Sequence, residues 1–174
     1  AAAFGEPLPR PVVRAMMMVR LANFLSGQDG VSAELCQFIA ARLNDDFDPF
    51  VPALGHGFAA DGTPNAHCFQ TLIGEGRVLD SDGEPVAAAT ALSARRAAPY
   101  SPGSKEGLAL INGITALPAY AIYAHRQVSA LQEFATLVDT IEQACPAAVK
   151  RRRVDGGDEI SVDCSAPTFG IVST

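Results

Sequence analysis

The sequence predicts a mainly α-helical fold: a helical bundle with one small β-hairpin and, near the C-terminus, two short strands. Three observations predict it. Apolar residues recur at helical spacing through Ala121, Ile122, Val128, Leu131, Phe134, Leu137, Val138 and Ile141, which marks a long helix over Thr115–Ala144. Two shorter segments, Pro11–Leu25 and Ser32–Asn44, carry helix start and stop signals. A Ser81-Asp82-Gly83 turn lies between Val78 and Val86, the pattern of a hairpin.

In chain order, Pro11 sits in the first turn of its helix, where its missing N–H costs nothing, and Ser26-Gly27 ends it. The Met16-Met17-Met18 run within it reads as core filler rather than a binding surface. Ser32 is the N-cap of the second helix, whose inward positions are Leu35, Phe38, Ile39 and Leu43. Asp45–Pro64 is rich in Gly, Pro and Asp and reads as a long loop. Asn65–Ile73 is a short helix stopped by Gly74-Glu75-Gly76. Arg77–Val86 is the hairpin, with Val78 and Val86 paired across it; Ala87–Ala97 is helical and Pro99–Gly103 is a connector. Lys105–Ile111 is helical up to an Asn112-Gly113 break, since both residues tolerate left-handed backbone. The long helix follows, with Pro118 in its first turn. In the tail, Glu159–Cys164 and Phe169–Ser173 alternate like short strands. The basic run Lys150–Arg153 reads as a solvated segment between elements or, less simply, as an anion contact. The domain division placed on this pattern is 1–148 and 149–174.

Composition narrows the class. The chain has 174 residues, 48% hydrophobic, at net charge −6, which is enough for a real core and argues against nucleic acid as a partner. No apolar run approaches the ~18 uninterrupted residues of a membrane span, so no membrane partner is expected. Ala1 follows no basic and apolar leader, and it reads as a processed or artificially set start. Cys36, Cys68, Cys145 and Cys164 are scattered, which points to free thiols in a reducing, cytoplasmic setting and to no metal centre.

The motif richest in information is Ser104–Gly113, SKEGLALING, in which a polar amide closes an apolar run. On spacing alone Asn112 is a helix C-cap or a group awaiting a partner. The segment is similar to the KEGLALINGT block of the histidine and phenylalanine ammonia-lyases. Gly5–Gly27, GEPLPRPVVRAMMMVRLANFLSG, and Asp48–Gly76, DPFVPALGHGFAADGTPNAHCFQTLIGEG, resemble two further blocks of that family in the same order. The resemblance covers residues 1–146 and implies an inner piece, about a third, of a longer helical fold. It also implies that Asn112 lines an active site.

The family builds its electrophile, methylidene-imidazolone, from an Ala-Ser-Gly tripeptide of its own backbone. Alignment back from Asp61, Pro64 and His67 sets Phe58-Ala59-Ala60 over that tripeptide. There is no Ser hydroxyl to eliminate, and Ala replaces the Gly whose nitrogen must attack. The expectation is that this chain cannot make the group and uses no cofactor. The family's catalytic Tyr segments match nothing here; Tyr100, Tyr120 and Tyr123 fall at other positions.

Candidate catalytic residues are therefore His56, Asp61 and Asn112. His56 is a proton carrier near neutral pH, and Asp61, five residues on, is a carboxylate able to orient it or to cap a helix. His67 matches a family residue and is structural or functional; His125 reads as a surface residue. Three functions stay open: a diverged lyase-like enzyme working by cofactor-free acid/base chemistry on a small amino-acid-like or aromatic molecule, a subunit complementing further lyase-like polypeptide, and a non-catalytic binding or scaffold module. The apolar long helix implies an oligomer under each.

Overall fold

Val12, Val13, Met16, Met17, Arg20 and Phe24 follow one another at helical spacing, and in the computed structural model they form the buried face of α1 (Arg10–Leu25). The structure describes residues 3–56, 61–144, 149–154 and 157–162. Met16 and Met17 are fully buried while Met18 is 56% exposed, so the methionine run fills the core with two of its members. α2 (Ala33–Asn44) packs against α1 through Leu35 and Ile39. Burial of such side chains contributes about 1.5–3 kcal/mol each. Ser32 caps α2 as expected, its Oγ accepting from the Leu35 N–H at 3.2 Å.

The stretch expected as one long loop is tied down at several points. β2 (Asp48–Pro49) and β3 (Pro52–Leu54) lie within it. β3 pairs antiparallel with β1 (Phe4–Pro7), and Leu8 N–H donates to Val51 O at 2.8 Å beside that pair. β2 pairs with β4 (Arg77–Leu79), which pairs in turn with β5 (Pro85–Ala87) in a three-stranded sheet. Val78 stands opposite Val86, as the hairpin pattern requires. Phe47 and Val51 are completely buried.

α3 (Gly62–Phe69) starts three residues earlier than the sequence suggested and passes into a 3₁₀ turn over Gln70–Ile73. Gly74 stops the turn with φ 83°, and a Cβ there would meet Pro99 at 3.1 Å, so the position requires glycine twice over. α4 (Ala88–Ala94) and α5 (Glu106–Ile111) follow. α6 (Ala116–Ala144) is 29 residues long, roughly 43 Å at the helical rise.

The chain divides into two compact units, Ala1–Ala124 and His125–Thr174, a division inside α6 and upstream of the 148/149 boundary read from the sequence. In the second unit β6 (Val149–Val154) and β7 (Gly157–Val162) form an antiparallel hairpin. This corrects the expected strand pair: the basic run is itself a strand, and its partner is the 157–162 segment. The register sets Arg152 opposite Glu159 and Arg153 opposite Asp158. Phe169–Ser173 lies outside the described residues. By length and composition the stretch Glu106–Gln143, which holds α5 and most of α6, also passes for a membrane-spanning helix, with an 18-residue window of mean hydropathy 1.4. Arg126 and Glu133 interrupt the apolar sequence, which is the pattern of a helix that packs in a bundle.

Candidate functional site

α5 ends because Asn112 leaves the helix. Its N–H still donates to Leu108 O at 2.9 Å, but its backbone is extended (φ −89°, ψ 137°), and Gly113 then takes φ 106°. That angle is open to glycine alone at low cost. The turn exposes two carbonyls, and Asn65 on α3 collects both. The fully buried Asn65 Nδ2 donates to Ile111 O at 3.2 Å and to Gly113 O at 2.9 Å. Its Oδ1 accepts from Thr115 Oγ1 in a short hydrogen bond.

Asp61, one turn before Asn65, completes the clamp. Its Oδ2 accepts from the N–H groups of Thr115 at 2.7 Å, Ala116 at 2.7 Å and Leu117 at 3.4 Å. These are the free amides at the start of α6, and a carboxylate there also meets the positive end of the helix dipole. Asp61 thus caps a helix 54 residues away rather than its own; α3 receives no side-chain cap from it. The Asn112 side chain stands exposed at the edge of this rigid turn, with no side-chain hydrogen bond among the described residues.

His56 lies elsewhere in the same unit. Its Nε2–H donates to Pro52 O at 2.6 Å, and its Nδ1 is buried and without a hydrogen-bond partner. No hydrogen bond joins His56 to Asp61 among the described residues, since each is held by a different partner. The structure therefore brings Asp61 to the Asn112 turn, and neither residue makes a hydrogen bond to His56 among the described residues. His67 is half-buried; burial lowers its pKa, and the positive charges of His56 and Arg77 lower it further.

Two charged side chains of the first unit are buried. Glu106, at the start of α5, is 3% exposed. Its Oε1 accepts from Ser32 N–H at 2.9 Å and Ser32 Oγ at 2.6 Å, and its Oε2 from Tyr100 OH at 2.8 Å and Gly103 N–H at 2.6 Å. Burial raises the carboxyl pKa, but the donors of Ser32, Gly103 and Tyr100 outweigh it and hold the group at about 2. Arg20 is 2% exposed, with Phe24 and Phe69 rings 5.6 and 6.0 Å from its Cζ. A Cβ at Gly113 would lie 3.1 Å from its Nη1, so the guanidinium sits directly beneath the Asn112–Gly113 turn. Burial lowers the Arg20 pKa, against the opposing charges of Asp29 and Asp61. The signal for Asn65 was its four-residue spacing from Asp61; for Arg20 it was a charge on the Met16–Phe24 stripe.

Beside the turn an apolar hollow of about 170 Å³ opens between Phe69, Ile73, Leu110 and Ile111. Cys36 and Cys68 are free thiols, and burial raises the pKa of both. Among the described residues no three His, Cys, Asp or Glu side chains gather as a metal site would need. Phe58-Ala59-Ala60, the segment aligned with the prosthetic-group tripeptide, lies outside the described residues.

Comparison with known proteins identifies the family and the fold. The family model described as aromatic amino acid lyase matches residues 1–144. A histidine ammonia-lyase of Gloeobacter violaceus is 41% identical over 141 residues, 80% of this chain and 26% of that protein. Among solved structures, the histidine ammonia-lyase of Trypanosoma cruzi superposes with a TM-score of 0.67 at 29% identity, over 84% of this chain and 29% of that one. The phenylalanine aminomutase of Pantoea agglomerans superposes with a TM-score of 0.72 at 25% identity, over 82% and 27%. The chain spans about a quarter of the length of the curated relatives it matches, less than the third expected.

Proposed function

The chain belongs to the aromatic amino acid lyase family, and from that premise we propose that it forms a lyase-like site for a small amino-acid-like or aromatic molecule, with Asn112 as the group that meets the ligand. The observation that carries this reading is the clamp. Asn65 and Asp61 spend a buried amide and a carboxylate on holding the 111–116 turn, and the turn presents one exposed amide. Preorganised display of a polar group is what a recognition site needs. The matched relatives are named for histidine and phenylalanine chemistry, which supports that ligand class.

The prosthetic group of the family does not fit these residues. Phe58-Ala59-Ala60 offers neither the hydroxyl to eliminate nor the glycine nitrogen to cyclise. The chemistry proposed is therefore acid/base, with His56 as the proton acceptor through its Nδ1 lone pair. Asp61 positions α6 rather than orienting His56. The free thiols fit a reducing, cytoplasmic setting.

Calorimetric titration of the purified chain with L-phenylalanine and L-histidine tests the site. Asn112→Ala is expected to weaken binding about tenfold, the loss of one good hydrogen bond. Unchanged binding, or none in the parent, would remove Asn112 from the site. Intact mass spectrometry tests the chemistry: a mass short by two waters would restore the prosthetic group.

A second reading is favoured by one observation. In the first unit Leu108, Ile114, Leu117 and Ile122 are all exposed, and apolar surface of this kind marks an interface. The chain would then be a subunit or piece completed by further lyase-like polypeptide, or by copies of itself. Light scattering after size exclusion separates these: a stable homo-oligomer argues for self-assembly, a monomer that captures lyase-like polypeptide for complementation.

A further inference from the structure

We propose that Arg20 is the receptor for a small carboxylate, held beneath the Asn112–Gly113 turn. The proposal rests on the reading of that turn as a small-molecule site and adds the chemical group it takes.

The guanidinium is almost wholly buried, and its Nε and Nη2 have no hydrogen-bond partner. These two nitrogens form one edge of the planar fork, with parallel N–H bonds that match the two oxygens of a carboxylate. A buried cation without partners is strongly unfavourable, and here it occupies a position of the α1 stripe where Met16 and Met17 show that an unbranched apolar chain fits. Such a charge is explained by something that pairs with it. Asp29 and Asp61 act on it without a hydrogen bond, and Asp61 has its Oδ2 committed to the α6 amides.

Two features select a small monoanion. Asp29 and Asp61 already set negative charge around the one guanidinium, which disfavours a dianion such as phosphate. Phe69 touches both features, lying 6.0 Å from the Arg20 Cζ and lining the apolar hollow, so a carboxylate with a short apolar or aromatic body suits the place. Gly113 packs directly over the guanidinium. It is partly exposed and has no side chain, and a Cβ there would stand 3.1 Å from Nη1 and 3.4 Å from Nη2.

Thermal unfolding of the purified 174-residue chain tests the proposal with acetate and benzoate as probes, against benzamide and sodium chloride at matched ionic strength. A saturable rise in midpoint of about 3 °C is expected with the carboxylates and not with the controls. Arg20→Met is expected to abolish the rise while its own midpoint does not fall below that of the parent. The same rise in Arg20→Met, or none in the parent, overturns the proposal. Should Arg20→Met not fold, the parent labelled with ¹⁵N reports directly: the Arg20 Nε–H resonance moves saturably with benzoate, and a resonance that stays still overturns it. If benzoate acts through Arg20 while Asn112→Ala leaves phenylalanine binding untouched, the receptor stands and the assignment of Asn112 falls. If Asn112 matters and benzoate does nothing, the receptor falls.

Discussion

Glu106 and Arg20 are both buried charges in the first unit, yet they are treated oppositely. Glu106 has four hydrogen-bond donors from Ser32, Tyr100 and Gly103, drawn from two segments of the chain. Arg20 has two aromatic rings and, at Nε and Nη2, nothing to donate to. A carboxylate satisfied in this way fastens the start of α5 to the start of α2 and stabilises the fold. A guanidinium left open stabilises nothing by itself. The difference separates a charge that builds the scaffold from one that the scaffold holds ready.

The largest expected effect breaks the satisfied charge. Glu106→Gln sets an NH₂ against donors and should lower stability by about 2–3 kcal/mol, a fall of roughly 6–10 °C in melting temperature. The acid limb of stability should change with it. The folded carboxyl sits at about 2 against 4.5 in the free state, so its contribution is complete above roughly pH 5 and is lost as pH falls through 4.5 towards 2. Denaturant midpoints across pH 2–6 should therefore flatten in Glu106→Gln; an unchanged acid limb would place the acid sensitivity elsewhere.

Next in size is the clamp on the other side of α5. Asp61→Ala leaves three α6 amides without their acceptor and should cost about 1–2 kcal/mol, read as a lowered denaturant midpoint. Its hydrogen-exchange signature should be confined to the first turn of α6. Opening the unsatisfied charge should act in the reverse direction: Arg20→Met is expected to raise stability by about 1 kcal/mol in carboxylate-free buffer, since it removes an unpaired buried charge. A large loss would mean that Arg20 belongs with Glu106 as a structural group. Smallest is Asn112→Ala, expected within about 0.5 kcal/mol because the side chain is exposed. A stable variant with weakened ligand binding would set Asn112 apart from both buried charges.

Much of the fold was legible because its signals are local. The α1 stripe, the Ser32 cap, the Val78–Val86 pairing and the Asn112-Gly113 break follow from spacing and turn chemistry within about twenty residues. The β1–β3 pair was not legible, since Phe4–Pro7 carries no alternation and its partner lies nearly fifty residues on. The basic strand was misplaced for the opposite reason. Lys150–Arg153 looks solvated by composition, which hides its pairing with Gly157–Val162. At the site, Asp61 and Asn112 stood out by residue type. Their relation did not, because a side chain's hydrogen-bond partner 50 or more residues away leaves no periodic trace.

The sequence by itself determined the helical class, the helix starts and stops and the membership in the lyase family. Those are properties of residue order, set by backbone preference and by which atoms a side chain possesses. The tertiary structure alone decided that Asp61 caps α6, that Asn65 clamps the Asn112 turn, that Glu106 is compensated and that Arg20 is not. Each depends on which distant groups share one volume once water is excluded, and in that volume a charge is stabilising or costly according to the partners the fold brings to it.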